Sequence, residues 1–276
     1  VPLSAPTEDR STQKPVFADE RQQKIAEYVT RRGRARISEL AERFSVTEQT
    51  VRKDLRALSD GGLVNRTHGG AIALHPLVER DLAGREATNP EAKQRLAHTC
   101  LGLIRDGDSV FLDSGTTVAY LARALAAAQK SPGSRPRNLT VLTSALDVAQ
   151  RIADLPSIDH VLLGGQLRTQ SGALVGALTI ENLQRFTVNI AFMGVSGFSR
   201  EGLSVAGIAE AQVKAALIER ARHVVVPLEA SKAGATDFAR ICGLDAVDTA
   251  VIDEPVVEIQ ELCAANQIRL VVAQAS

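Results

Sequence analysis

Residues Ile37–Ala71 read ISELAERFSVTEQTVRKDLRALSDGGLVNRTHGGA. Ser38 is in position to cap a helix that runs through Phe44, with Leu40, Ala41 and Phe44 on one face. Ser45 and Val46 make a turn. Thr47 then caps a further helix, through about Ser59, by accepting a bond from a free backbone N–H. Val51, Leu55 and Leu58 fall at i, i+4 and i+7 and point inward, which leaves Gln49, Arg52, Lys53 and Arg56 outside. Gly61 and Gly62 end that helix. Leu63-Val64 and Ala71-Ile72-Ala73 flank Asn65–Gly70 as a hairpin-like wing. Upstream, Glu20–Arg32 carries Ile25, Tyr28 and Val29 at helical spacing and stops at Gly33. The order is helix, helix, tight turn, helix, wing: a winged helix-turn-helix.

Such a module reads DNA when the outer face of its last helix carries long polar side chains, because the major groove shows a distinct donor and acceptor pattern for each base pair. Thr47, Gln49, Thr50, Arg52, Lys53 and Arg56 meet that need. Arg66 and His68 in the wing, and Arg34 and Arg36 before the second helix, suit phosphates, which set register without reading sequence; Ser38 and Gly69 are further candidate DNA contacts. From Arg31 to Gly70 there are nine basic and five acidic side chains, a local surplus of four in a chain whose Lys+Arg and Asp+Glu are both 32. The neutral total argues against a purely electrostatic DNA binder and permits a specific one. Asp54, in mid-helix, is read as the partner of a neighbouring arginine and not as a DNA contact. Cations alone would fit a solvated helix equally well; turn, cap, apolar spacing and glycine wing together favour DNA.

The chain has 276 residues, enough for two domains, and 45% hydrophobic residues with only 3% aromatics. Its cores are therefore built from Ala, Val, Leu and Ile. Residues 1–18 are rich in Pro, Ser, Thr and charge and read as a disordered tail; 19–74 form the DNA module, 75–90 a linker between Pro-marked edges, and 91–276 a second domain. Cys100, Cys242 and Cys263 are odd in number and form no CxxC, so neither a disulfide frame nor a zinc site is expected. The five histidines lack metal-ligand spacing. No metal or cofactor is expected. No apolar stretch reaches membrane-spanning length and no signal-peptide core is present, so a cytoplasmic location without membrane contact is the expectation.

The second domain has another texture. Apolar, β-branched runs at Ser109–Asp113, Leu139–Thr143, His160–Leu163, Ile190–Met193, His223–Pro227, Ala250–Asp253 and Arg269–Val272 alternate with helical segments. That pattern indicates an α/β fold with a mostly parallel sheet. After the first run, Asp113-Ser114-Gly115-Thr116-Thr117 leads into a helix with Val118, Leu121, Ala122 and Leu125 on one face. A strand, a small polar loop and a helix N-terminus make an arrangement that holds an anion. Ligands in open α/β sheets sit beyond the strand C-termini. Thr143-Ser144, Gly164-Gly165, Ser196 and Glu229–Lys232 stand at other strand ends, with Lys232 as a positive charge. Each of these alone is also an ordinary turn or surface residue. Glu210 and Lys214, at i, i+4, read as a helix surface pair.

The chain after the tail resembles the DeoR family of bacterial transcription regulators. The resemblance rests on Leu40-Ala41-Glu42-Arg43-Phe44, Val46-Thr47, Thr50-Val51-Arg52-Lys53-Asp54-Leu55 and Gly62–Ala71. It continues through Lys93 with Leu96-Ala97, Asp113–Thr117, Leu163-Gly164-Gly165, Ala191-Phe192-Met193-Gly194 and Ser231-Lys232. Thr47 and Lys53 stand where the family pattern has Ser and Arg; lysine lacks the fork geometry of arginine. The resemblance implies a ribose-5-phosphate-isomerase-like (Rossmann-like) effector domain that binds a phosphorylated sugar or related metabolite and thereby relieves repression. Ser114–Thr117 and Lys232 would hold phosphate, and Asp113, Ser144 and Ser196 would face the sugar. Two departures bear on the sugar contacts. Thr143-Ser144-Ala145 replaces the usual Thr-Asn-Ser, and Glu229-Ala230-Ser231-Lys232 the usual Asp-Ser-Ser-Lys.

The reading is thus a DNA-binding repressor of a sugar-metabolism operon, a homodimer or homotetramer on a double-stranded operator, and not an enzyme. Two alternatives remain beside it: a regulator whose pocket has altered or lost sensing, and an isomerase-like enzyme with Asp113, Glu210 and Glu229 as the candidate bases.

Overall fold

The computed structural model describes residues 18–32, 34–61, 63–67, 69–73, 82–130, 133 and 136–274. The chain divides into two compact units between Leu77 and Val78. The predicted tail, apart from Ala18, and the first part of the predicted linker lie outside the described residues.

In the first unit, α1 (Ala18–Arg32), β1 (Arg34–Arg36), α2 (Ile37–Arg43), α3 (Glu48–Asp60), β2 (Val64–Thr67) and β3 (Gly70–Ala73) follow in order. Ile25 and Val29 of α1, Leu40 of α2, Val51 and Leu55 of α3 and Val64 of β2 are all but completely buried in one core. Thr47 caps α3 as expected: its hydroxyl accepts from the Thr50 N–H at 3.2 Å. Gly61 closes the helix, its N–H bonded to the Ala57 carbonyl at 2.9 Å. Three details differ from the sequence reading. Ser38 does not cap α2; the helix starts two residues earlier, with Arg36 at the cap and the Glu39 carboxylate reaching back to the Arg36 N–H at 3.4 Å. Asn65–Thr67 are strand and not loop, paired antiparallel with Gly70–Ile72. Arg34–Arg36 adds a third strand, so the order is β1-β3-β2. A Cβ on Gly70 would lie 2.0 Å from the Ala35 carbonyl oxygen, so glycine is what lets β1 approach β3.

Asp54, on the buried face of α3, is held by Arg21 Nε at 2.7 Å, Arg21 Nη2 at 3.1 Å and Gln22 Nε2 at 3.0 Å. The expected arginine partner therefore comes from α1, and the two helices are tied by an ion pair with hydrogen bonds at both carboxylate oxygens. The same bond holds the Arg21 guanidinium above its ordinary pKa.

The second unit begins with α4 (Leu82–Glu86), inside the stretch read as linker, and α5 (Pro90–Leu101). Then come β4 (Ser109–Leu112), α6 (Thr116–Gln129), β5 (Leu139–Thr143), α7 (Leu146–Ile152) and β6 (Ile158–Leu162). A ribbon of β7 (Gln166–Arg168) and β8 (Ala173–Val175) leads to α8 (Ala177–Leu183) and β9 (Ile190–Phe192). A small antiparallel sheet, β10 (Gly197–Ser199), β11 (Gly202–Val205) and β13 (Ala239–Cys242), is interrupted by α9 (Ile208–Ile218) and β12 (Val224–Leu228). After it come β14 (Thr249–Ile252), α10 (Val257–Ala265) and β15 (Arg269–Val272).

All seven predicted apolar runs become strands of one parallel sheet, ordered β15-β14-β12-β9-β4-β5-β6. The α/β class with a parallel sheet is borne out. Both faces are covered, which is why these strands are apolar on both sides. Phe111, Leu142, Ala191, Val226 and Ile252 pack toward Leu217 of α9 and Ile259 of α10. Val110, Leu112, Val141, Phe192 and Val225 pack toward Leu96 of α5 and Leu121 of α6. From β4 the chain moves outward through β5 and β6, then returns to β9 on the other flank of β4 and moves away through β12, β14 and β15. The order reverses between β4 and β9. A crevice beyond the ends of these two strands is where such sheets bind ligands.

Removing the Asp54 carboxylate should test the first unit. Asp54→Ala removes the carboxylate that Arg21 and Gln22 share, and we expect a loss of about 1–3 kcal/mol. Urea unfolding of the whole chain measures it; an unchanged midpoint would show that the pair holds nothing.

Candidate functional site

In the first unit, Thr47, Gln49, Arg52, Lys53 and Arg56 are exposed on α3 and Thr50 is half-buried. The buried stripe is Val51, Asp54, Leu55 and Leu58. The cationic face predicted from the sequence is therefore formed. Arg52 Nη2 lies 3.1 Å from Glu48 Oε2, both side chains being about half exposed at 53%. Exposed pairs of this kind are worth roughly 0–1 kcal/mol, so Glu48 releases the guanidinium at little expense. Arg36, Ser38, Arg66 and Gly69 are also exposed. His68 lies outside the described residues.

In the second unit the site forms where β4 and β9 end. Gly115, at φ +132°, turns the chain from β4 into α6. Gly194, after β9, passes so close that a Cβ there would lie 2.1 Å from the Ser114 carbonyl oxygen. The Gly194 N–H donates to Asp113 Oδ2 at 3.0 Å. Ser114, Thr116 and Thr117 are buried around the α6 N-terminus, whose free N–H groups and dipole favour negative charge. The Thr117 hydroxyl is buried and has no hydrogen-bond partner among the described residues.

Glu210 and Lys214 do not form the predicted surface pair. They share the buried stripe of α9 with Ala211, Val213 and Leu217. Lys214 Nζ donates to Asp113 Oδ2 and lies 3.3 Å from Ser114 Oγ. Glu210 accepts from Arg168, on the β7–β8 ribbon, at 3.2 Å. The spacing of this helix is legible in the sequence and its inward face is not, because the partners of Lys214 lie 100 and 101 positions away, beyond any local pattern. A tight cleft with no appreciable enclosed space, about 150 Å³ only when the gaps between atoms and its open mouth are counted, is lined by Asp113, Ser114, Ser144, Ala173, Leu174, Val175, Glu210, Val213 and Lys214.

Other predicted site residues have structural engagements. Thr143 Oγ1 donates to the Leu112 carbonyl at 2.6 Å and accepts from the Ala145 N–H at 3.0 Å, tying β5 to β4. Gly164 offers its carbonyl to the Thr179 hydroxyl at 2.8 Å, and a Cβ on Gly165 would meet that same hydroxyl. This glycine pair serves the approach of α8. Ser196 Oγ donates to Asp237 Oδ2 at 2.7 Å, a partner that sequence reasoning did not find.

Glu229 and Lys232 do not line the cleft; they belong to a separate charged group. Glu229 Oε1 lies 3.6 Å from Lys232 Nζ and 3.9 Å from Lys93 Nζ, while Oε2 accepts from Asn89 at 3.2 Å. Lys93 is almost wholly buried and donates to the carbonyls of Arg85 and Thr88. Burial pushes both lysines below the ordinary lysine range, and Glu229 opposes that shift. Elsewhere, burial raises the Cys100 thiol to about 12 and those of Cys242 and Cys263 to about 11, which disfavours the thiolate form. Among the described residues there is no group of three or more side chains able to hold a metal. No described helix is long and apolar enough to cross a membrane.

Two family models match the chain: a DeoR-like helix-turn-helix domain over residues 21–76 and a DeoR C terminal sensor domain over residues 88–254. The chain is 32% identical to the glycerol-3-phosphate regulon repressor of Escherichia coli, across 89% of this chain and 95% of that protein. It is 30% identical to the HTH-type transcriptional repressor GlcR of Bacillus subtilis, across 94% of this chain and 98% of that one. Among solved structures, ribose 5-phosphate isomerase A from Methanocaldococcus jannaschii overlaps 52% of this chain and 55% of its own at 19% identity, with a TM-score of 0.39. That last likeness is too partial to bear on function.

Gly194→Ala puts a methyl group against backbone that has nowhere to move. We expect a loss of about 1–3 kcal/mol, read as a lowered melting temperature. Lys93 gives a pH-dependent test. Its folded pKa lies below 10.5, so between the two values the unfolded chain keeps a proton that the folded chain gives up. Stability from this group therefore rises with pH across that window and is flat below it. Lys93→Met should remove that alkaline rise, measured as the difference between the two proteins' unfolding free energies at successive pH values.

Proposed function

This chain belongs to the DeoR family and is a DNA-binding transcriptional regulator, and on that premise we propose that it represses a carbohydrate operon and is released by a phosphorylated sugar or a related phosphorylated metabolite. The observation that carries the proposal is the pairing of two features. An exposed cationic recognition helix stands in one unit; an anion-ready loop at the sheet's topological switch point stands in the other.

In this reading α3 lies in the major groove. Thr47, Gln49, Thr50 and Arg52 meet base edges, and Arg36, Ser38, Lys53, Arg56, Arg66, His68 and Gly69 meet the backbone. Two or four copies of the chain present paired helices to repeated half-sites, as closed symmetry requires. The protein works in the cytoplasm, where its operator is. The phosphate sits at Ser114–Thr117, and Ser144 lies along the sugar. Binding favours the state with weaker hold on DNA, and the shift is limited by the effector's differential affinity for the two states.

The enzyme alternative is disfavoured by the state of its bases. A general base has to meet the substrate proton directly, and each candidate already has partners. Asp113 is bound by Lys214 and Gly194, Glu210 by Arg168, and Glu229 by Asn89 and two lysines. Loss of sensing has one supporting observation: the Thr143 hydroxyl is committed to backbone, and Ala145 and Ala230 offer no polar group.

Gel-shift on DNA upstream of the gene and its neighbours tests this. A good bidentate hold on a base is worth about 1–3 kcal/mol, and a phosphate-bound lysine adds to the salt slope. Arg52→Ala with Lys53→Ala should therefore weaken operator binding at least tenfold and flatten its salt dependence. A phosphorylated sugar from a panel should release the wild-type complex. Release by none, with DNA binding intact, would favour the alternative without sensing; wild-type binding with no preference over bulk DNA would overturn the regulator's specificity.

A further inference from the structure

We propose that Lys214 is the residue that makes the sensor cleft selective for an anion, contacting the effector directly from α9. The proposal rests on the effector reading above and names the charge within it, a charge that the sequence reading placed on Lys232.

Two features of the cleft conflict. The loop at the α6 N-terminus is suited to a phosphate, yet Asp113 stands at its base with a carboxylate that would repel one. Asp113 is almost wholly buried, so solvent does little to screen it. Lys214 cancels that charge. Its ammonium meets Asp113 Oδ2, and its own side chain is only 3% exposed. A lysine ammonium has three donors. One is engaged by Asp113, and the remaining approaches, to Ser114 Oγ at 3.3 Å and Ser114 O at 3.5 Å, are long and fall on a single residue. An incoming anion could take the place of those two long contacts on the wall of the cleft that Ser114 and Ser144 also line.

A purely structural reason for the pair is weak. Buried ion pairs are often replaced by apolar side chains of similar volume with no loss of stability. Here two charged residues, Glu210 and Lys214, interrupt the apolar stripe of α9, and both open on the same cleft. Lys232 does not line that cleft and shares Glu229 with Lys93. The group with a carboxylate neutralised beside an anion-ready helix end is therefore at Lys214. Glu210, one turn earlier and held by Arg168, leaves acceptor capacity for effector hydroxyls, which fits a phosphorylated polyol or sugar over a bare phosphate.

Titration calorimetry with full-length protein tests this, using glycerol 3-phosphate, ribose 5-phosphate, their unphosphorylated parents and inorganic phosphate as probes. Lys214→Met alone strands the Asp113 charge, so the deciding variant is the neutral pair Asp113→Asn with Lys214→Met, whose cooperative melt establishes that it is folded. We expect wild type to bind at least one phosphorylated probe more tightly than its parent, and the double variant to bind it at least tenfold more weakly. A folded double variant within twofold of wild type overturns the assignment of Lys214 and leaves the effector reading standing. Binding of no phosphorylated probe by wild type overturns both. If the double variant fails to fold, Lys214→Arg decides instead: it keeps the charge, and a loss of preference for the phosphorylated probe over its parent there overturns the proposal, while retention supports it.

Discussion

The contact on which the sensor unit depends is the passage of Gly194 over the Ser114 carbonyl. Two adjacent parallel strands, β4 and β9, end side by side while their chains leave in opposite directions. That reversal opens a crevice and also forces two backbones together at its floor. A residue with a side chain at 194 would push them apart. The Asp113 carboxylate fastens the crossing by accepting the Gly194 N–H. Once it is fastened, α6 presents its N-terminus to the crevice, and α9 reaches the same point through Lys214. Position and charge at the site therefore share a single cause, the topology of the sheet.

The DNA-reading unit solves a similar problem with a different pair. Helix α3 must hold an acid on its inner face and keep its cations outside. Asp54 is tolerated there because Arg21 and Gln22 of α1 saturate both of its oxygens. The pair absorbs one negative charge that would otherwise offset the outward cations, and it fixes α1 against α3. The residual acid on the exposed face, Glu48, is paired only at the surface and can yield Arg52 to a stronger acceptor.

How far the sequence carried varies with the locality of the forces. The seven central strands were legible because burial on both faces leaves unbroken β-branched runs. The recognition helix was legible because cap, apolar spacing and glycine stop all act within one turn of the chain. The small sheet of β10, β11 and β13 was not, since strands such as Gly197-Phe198-Ser199 are three residues long and rich in small polar letters. Ser38 misled because a hydroxyl next to a helix reads as a cap even when the extended residue is Arg36. The loop after β4 was found, but the group that completes it was missed: Lys214 is paired across 101 positions. A signal existed, since Glu210, Lys214 and Leu217 share a helical face with Ala211 and Val213. The i, i+4 charge pattern hid it by offering a simpler partner.

The charged groups of the sensor unit are held by partners on every side. In the sensor unit Asp113, Glu210 and Glu229 each have a cation or amide against them. Such neutralisation suits recognition, where donors and acceptors must be held in place before the ligand arrives and need not change protonation afterward. On the proposed reading, selectivity comes from a cation whose long contacts to Ser114 an anion can replace. An anion bound there as proposed would act on the hold of that cation on Asp113, and through Asp113 on the crossing of β4 and β9.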